Sequence, residues 1–304
     1  MEKLLIAGGF GFVGKNLIEL LKNKYSIVVI DKYIDQNFIR SNPEIAWYQY
    51  DFQDIDILKN ILNKEKPDYV INLISVVTAT RDLSLFSTLI ETNLNTLLQF
   101  FECLKSVSHL KLFVQFGSAE EYGNINTPYR EDAREQPDSP YALIKTLTTN
   151  TAMMFFRNYH FPVAVIRPGN LFGKYQPNDK LLPYLIGKLR KNEEINLTPG
   201  EQKRDFIYIK DFALAIKNIL DSSNDIIGNI LNVSYGRGVS IKSIVEYLRK
   251  MIDSQSIINL GSLPYRENEM MEFECDIGLL LGKTGTQFRY NVYTAIDDYL
   301  AETD

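Results

Sequence analysis

Histidine and cysteine are almost missing from this 304-residue chain, which has two of each. Cys103 and Cys275 form no paired motif. That argues against a disulfide framework or a thiolate zinc site and suits a reducing, cytoplasmic setting. His109 and His160 leave little for a histidine-based centre, so no metal is expected, and His109 reads as a surface residue. No apolar run approaches the ~20 residues of a membrane span. The opening residues end their apolar run in Gly8 and Gly9 and lack a signal-peptide pattern, so no membrane association is expected. A basic excess is also missing: the net charge is -5, which argues against a nucleic-acid partner. Internal repeats and low-complexity linkers are absent too. What remains is 45% hydrophobic and 23% charged, an ordinary globular composition in a chain long enough to bury its own core.

Short apolar runs at 4–7, 27–30, 69–73, 112–116 and 163–166 read as buried strands. Between them, 13–23, 55–62, 86–107 and 139–159 read as helices. This alternation predicts an α/β fold, a doubly wound parallel sheet that takes ligands at the carboxyl ends of its strands. After Arg167-Pro168-Gly169-Asn170 the pattern loosens. Helices are expected at 179–191, 211–220, 240–252 (Ser240 as N-cap) and 291–301, with extended segments at 206–209 and 230–233. Residues 1–170 are therefore expected to form a dinucleotide-binding domain and 171–304 a smaller α/β substrate-binding lobe, with the chain free to cross between them.

Gly8-Gly9-Phe10-Gly11-Phe12-Val13-Gly14 joins the first strand to the first helix. It contains both G-x-G-x-x-G and G-x-x-G-x-x-G, a loop that lets backbone approach a pyrophosphate at a helix N-terminus. Tight strand–helix turns need glycine anyway, so the acid that follows matters. Asp31 ends the second strand, where a carboxylate can accept both ribose hydroxyls and repel a 2′-phosphate. It favours NAD over NADP, and the adjacent Lys32 blurs that preference. Asp51 and Phe52, between the strands at 27–30 and 69–73, either flank an adenine or serve as a turn acid and a core aromatic.

Tyr141 and Lys145 stand at i, i+4, so on a helix a phenol and an ammonium share one face. The phenol holds its proton to about pH 10, and a nearby ammonium favours the phenolate, which would bring Tyr141 toward proton exchange near neutrality. Ser118 follows the strand at 112–116, beside Gly117. It either hydrogen-bonds a substrate oxygen near Tyr141 or caps local backbone.

Taken together, these pieces resemble the extended short-chain dehydrogenase/reductase family, in its nucleotide-sugar (NAD-dependent epimerase/dehydratase) branch. The resemblance covers nearly the whole chain. It is carried by Gly8/Gly11/Gly14, Asp31, Asp51-Phe52, Asn93, Ser118 with Tyr122-Gly123, Ser139-Pro140-Tyr141-x-x-x-Lys145, Arg167-Pro168-Gly169-Asn170, the segment 200–208, and Arg266. It implies Tyr141 as acid/base at the sugar hydroxyl or ketone, Lys145 on the nicotinamide ribose, and Ser118 orienting the substrate oxygen. Leu73, Ile74, Ser75 and Asn93 join the glycine loop, Phe12, Val13, Asp31, Lys32, Asp51 and Phe52 around the cofactor. Asn170, Arg204 and Arg266 hold the diphosphate of a nucleotide sugar, since a guanidinium fork suits phosphate. Thr78, in the segment 76–81, borders the sugar together with Ala119 and Glu120. Relatives often dimerise through the helices at 86–107 and 139–159, so a homodimer is expected.

Departures from the family pattern bear on the reaction. Enzymes that remove water across C5 and C6 carry Asp-Glu after the Ser or Thr. Here Ala119 cannot protonate a leaving hydroxyl, while Glu120 remains, with Glu120-Glu121 otherwise a solvated turn pair. Asn72-Leu73-Ile74-Ser75 replaces the His-Leu-Ala-Ala common in 4-epimerases. The stretch 197–206 with Arg266-x-x-Glu269 is similar to 4-keto-6-deoxyhexose reductases, among them the paratose, abequose and fucose synthases of bacterial surface polysaccharides. Reduction at sugar C4 is therefore the leading expectation and a UDP-hexose 4-epimerase the alternative. A 4,6-dehydratase and a non-catalytic nucleotide-binding regulator stand further back.

Overall fold

The computed structural model describes residues 1–78 and 80–303; Ala79, within the segment expected to border the sugar, lies outside them. The first half is β1 (Lys3–Ala7), α1 (Phe12–Leu21), β2 (Ser26–Asp31), α2 (Gln36–Ser41), β3 (Ala46–Gln49), α3 (Ile55–Glu65) and β4 (Tyr69–Asn72). There follow α4 (Phe86–Leu89), a π-helical stretch (Ile90–Asn95), α5 (Thr96–Leu104), β5 (Leu112–Phe116), a 3-10 turn (Ala119–Tyr122), α6 (Pro140–Tyr159) and β6 (Val163–Pro168). The remainder comprises β7 (Asn170–Phe172), α7 (Leu181–Arg190), β8 (Ile195–Leu197), β9 (Lys203–Tyr208), α8 (Ile209–Asp221), α9 (Ser223–Ile226) and β10 (Ile230–Val233). The chain finishes with β11 (Gly238–Ser240), α10 (Ile241–Ile252), β12 (Ile258–Leu260), α11 (Gly278–Thr284) and α12 (Val292–Thr303).

Seven parallel strands form the main sheet in the order β10-β6-β5-β4-β1-β2-β3. Its central strands are apolar at almost every position because both faces are covered. Leu4, Ile6 and Val114 pack on one side with Leu17 and Ile18 of α1 and Phe212 and Ile216 of α8. Leu5, Val70 and Phe113 pack on the other with Leu58 and Ile61 of α3, Phe100 of α5 and Phe155 of α6. The strand order turns back at β1, which leaves a crevice at the carboxyl ends of β1 and β4.

The smaller lobe holds a three-stranded sheet, β11-β9-β7, and the pair β12-β8. β10 leaves this lobe and pairs along β6, from Ile230 against Val165 to Val233 against Pro168. The expected helix at 86–107 is broken into three. Wider π turns, common at functional sites, interrupt it at Ile90–Asn95, where Asn93 is buried.

Candidate active site

A groove of about 900 Å³ runs along the carboxyl ends of the first strands, lined by Gly8, Gly11, Asp31, Lys32, Asp51, Phe52, Leu73, Ile74 and Ser75, among others. Gly8 has φ +80° and packs against the backbone of Leu73 and Ile74. A Cβ on Gly14 would lie 2.4 Å from the Gly9 carbonyl oxygen, so that glycine is needed for the turn itself. Gly11 differs: its Cβ would meet only the Gly8 carbonyl oxygen, at 3.3 Å, and its backbone is extended. Gly11 is also the N-cap of α1, with no side chain capping the helix. The first-turn N–H groups of Phe12, Val13 and Gly14 have no intrahelical acceptor, a ready site for a pyrophosphate.

Asp31 is fixed at the groove by two backbone donors, Phe10 N–H to Oδ2 at 2.9 Å and Tyr33 N–H to Oδ1 at 3.1 Å. Asp35, also in the lining, pairs with Lys15 at 2.6 Å, and that ammonium holds its carboxyl below the ordinary value. Two carboxylates at this end fit ribose hydroxyls and disfavour a 2′-phosphate. Phe52 adopts φ +64°, a costly conformation for an aromatic residue, and packs edge-on to Tyr50. Asn93 does not line the groove; its Oδ1 accepts from Ser75 Oγ at 2.8 Å, so it acts through Ser75. Thr78 Oγ1 accepts the Thr80 N–H at 3.2 Å.

Ser75, in the lining of the groove, stands beside the Tyr141 hydroxyl and joins the groove to Ser118, Tyr141 and Lys145. Ser118 N-caps the 3-10 turn, its Oγ accepting the Glu120 N–H at 3.2 Å, and it also stands beside the Tyr141 hydroxyl. The capping reading of Ser118 therefore holds, and a hydroxyl that accepts from backbone can still donate. Tyr141 is buried at the start of α6, where Ser139 caps the helix and Pro140 occupies its first position. Lys145 Nζ donates to the Phe116 carbonyl at 2.9 Å and lies 5.8 Å from the Tyr141 ring centre.

The expected lowering of the Tyr141 pKa by Lys145 is not what this geometry gives. Burial, with the Glu120 charge, raises the phenol well above its ordinary value, against the Ser118 and Ser75 hydroxyls. Burial pushes Lys145 down to about 8, opposed by Glu121. Ionisation depends on desolvation, which the i, i+4 spacing does not reveal.

On the opposite wall, burial and Asp138 raise the Glu120 carboxyl, while Arg204, Arg266 and Lys180 pull it down. The fold thus gathers Glu120, Arg204 and Arg266 around one space beside Tyr141. Arg204 donates to the Met270 carbonyl at 2.7 Å and pairs with Glu269; Arg266 is exposed. Asn170 Nδ2 is buried without a hydrogen-bond partner, a donor suited to an anionic ligand. Ala119 is fully buried among Tyr122, Tyr129, Phe273 and Cys275 and offers no surface to a substrate. Nor is Glu120-Glu121 a solvated turn pair, because Glu121 is completely buried against Arg167. Sequence reasoning missed Lys180, Asp138 and Glu121 as neighbours of this centre. A lone charged residue carries no spacing signal, and only the SAE-E run hinted at the last of them.

The model of the NAD dependent epimerase/dehydratase family matches residues 4–234. The chain belongs to this family. It is therefore an enzyme of the nucleotide-sugar-modifying kind, and NAD is its cofactor. Among curated relatives it is similar to the dTDP-glucose 4,6-dehydratase of Haemophilus influenzae, 24% identical over 96% of this chain and 90% of that protein. It is also similar to the CDP-abequose synthase of Salmonella muenchen, 27% identical over 92% and 90%. Among solved structures, the UDP-glucuronic acid 4-epimerase of Bacillus cereus, in complex with UDP-glucuronic acid and NAD, matches with a TM-score of 0.90. It covers 99% of this chain and all of that one at 23% identity, a likeness of fold. Among the described residues, no cluster of three His, Cys, Asp or Glu could hold a metal ion, and no helix is long and apolar enough to cross a membrane.

Proposed function

We propose that this enzyme reduces the C4 ketone of a nucleoside-diphosphate 4-keto-6-deoxyhexose, using NADH, in the supply of sugars for surface polysaccharides. The observation that carries the reading is a buried Tyr141 beside Ser118 and Lys145, its phenol pushed up by burial, with the apolar Ala119 directly after Ser118. Reduction requires an acid at the sugar oxygen, and a phenol raised by burial keeps its proton at neutral pH. Removal of water across C5 and C6 in the Asp-Glu manner would need an acid where Ala119 stands, and only Glu120 of that pair remains.

In this reading Ser118 Oγ donates to the C4 oxygen and holds it against Tyr141, which gives it the proton. Lys145 positions the nicotinamide ribose. Bound NADH supplies the hydride. Asn170 Nδ2, Arg204 and Arg266 take the diphosphate, with Arg204 exchanging Glu269 for phosphate oxygens. Thr78 and Glu120 border the sugar. We infer a homodimer, a reading supported by the exposed Leu98 on α5 and Leu143 and Leu147 on α6, in the cytoplasm, a setting that the scarcity of cysteine suits.

A UDP-hexose 4-epimerase is the second reading. Asp31 favours it, because an epimerase retains NAD whereas many reductases draw on NADPH. The test mixes purified enzyme, NADH and a 4-keto-6-deoxyhexose nucleotide and follows reduced-nicotinamide absorbance. Stoichiometric loss is expected, and Tyr141→Phe should abolish it while leaving cofactor binding nearly intact. Interconversion of UDP-glucose and UDP-galactose with no NADH consumed would refute the reductase.

A further inference from the structure

We propose that Glu121 is a positioning residue for this reaction centre: its carboxylate, lodged beneath residues 116–118, fixes the Ser118 turn and sets a negative charge beside Lys145. The inference rests on the assignment of Ser118, Tyr141 and Lys145 to the chemistry. Oε1 of Glu121 accepts the Ser118 backbone N–H at 2.8 Å and the Thr149 hydroxyl at 2.9 Å. Oε2 accepts Nε and Nη2 of Arg167 at 3.0 and 2.8 Å. Both side chains of the ion pair are wholly excluded from solvent.

The room for this carboxylate is made by Gly117, whose Cβ would lie 2.4 Å from Oε1. The strand end is thereby held from two sides. Lys145 donates to the Phe116 carbonyl, and Glu121 accepts from the Ser118 N–H. Thr149 lies one helical turn beyond Lys145, so it ties the carboxylate to the helix that carries Tyr141 and Lys145. Serine, tyrosine and lysine are registered to one another through a single buried group.

The charges close in the same way. From β6, Arg167 faces Glu121; its Nη2 also reaches Glu135 at 2.5 Å, and its guanidinium lies 4.5 Å from the Tyr122 ring centre. From α6, Lys145 and Tyr141 both feel the Glu121 charge. Burial pushes the Glu121 carboxyl up, and Arg167, the Ser118 N–H and the Thr149 hydroxyl oppose that rise; Glu121 is the charge that reaches the Lys145 ammonium. That charge keeps the lysine protonated against its burial.

A purely structural glutamate would alter stability and leave the ionisation of Lys145 alone. Glu121→Gln keeps the shape and removes the charge. The Lys145 titration midpoint, read by NMR of 13C-labelled lysine with Lys145→Arg assigning the signal, is expected near 8 in the parent chain and about one pH unit lower in the variant. The alkaline limb of kcat/KM should move down with it. An unchanged midpoint in the folded variant overturns the proposal. If Glu121→Gln leaves Arg167 uncompensated and does not fold, Glu121→Val with Arg167→Met removes the pair together at similar volume. The same fall is expected there, and an unchanged midpoint again refutes. The NMR measurement needs no substrate, so a shifted midpoint in an enzyme inactive on the proposed sugars would sink the functional reading alone.

Discussion

Gly11 and Gly14 stand three residues apart in one loop, and alanine at each should do opposite things. At Gly14 the new Cβ would sit 2.4 Å from the Gly9 carbonyl oxygen and 2.5 Å from its Cα, backbone atoms that cannot swing aside. Overpacking of that kind costs about 1–3 kcal/mol. The better helix propensity of alanine in α1 returns roughly 0.5–1 kcal/mol. A net loss of about 1–2 kcal/mol in a protein of this size lowers Tm by a few degrees, on the order of 2–5 °C. At Gly11 the Cβ meets only the Gly8 carbonyl oxygen at 3.3 Å, and φ -73°, ψ 177° suits any residue. Alanine there restricts the unfolded chain and should hold or raise stability by about 0.4–1 kcal/mol. Its methyl group, however, enters the space that a pyrophosphate needs above α1, so NAD affinity should fall at least about tenfold, roughly 1.4 kcal/mol. Thermal scanning and calorimetric NAD titration separate the two variants. If Gly11→Ala binds NAD like the parent chain, or melts as early as Gly14→Ala, the reasoning about this loop is wrong.

Three further outcomes follow from the same geometry. Lys145 loses its proton near pH 8 in the folded chain and near 10.5 when unfolded, so between these values the unfolded chain binds more protons and this group's contribution to stability rises with pH. The urea-midpoint difference between parent and Lys145→Met should therefore drift in the parent's favour from pH 8 to 10; a constant difference would contradict the buried, depressed lysine. Asn170→Ala should raise KM for the nucleotide sugar about tenfold with kcat little changed, and steady-state kinetics showing a loss in kcat alone would argue against diphosphate binding there. Asp31→Ala should weaken NAD and narrow the preference over NADP, measured as the ratio of the two Kd values; an unchanged ratio would remove Asp31 from cofactor choice.

Much of this fold can be read in residue order, for reasons that also mark the limits. The strands β1, β2, β4, β5 and β6 are buried on both faces, so their composition announces them. β3, at the sheet edge with mostly exposed residues, carries no apolar run, and β7, β8, β11 and β12 are three residues each, too short for periodicity. In the centre, Ser118, Tyr141 and Lys145 belong to motifs with fixed spacing. Glu121 does not: only the folded chain brings Arg167 and Thr149 to it from β6 and α6. The direction of the Tyr141 pKa is hidden in the sequence for a related reason, because helix spacing reveals a neighbour and says nothing about water.

The return of β10 to the large sheet has a consequence for remaking the enzyme. Residues 230–233 are hydrogen-bonded neighbours of β6, whose Pro168 leads straight into Asn170 and β7 of the small sheet. Residues 171–229 thus run between two adjacent strands of the large sheet, and the chain after β10 returns to the small sheet through β11. A single splice after residue 170 would leave the host sheet without its outermost strand. A graft that borrows another relative's sugar preference has to keep α8, which covers the large sheet, and exchange the strands of the two smaller sheets around it as separate pieces.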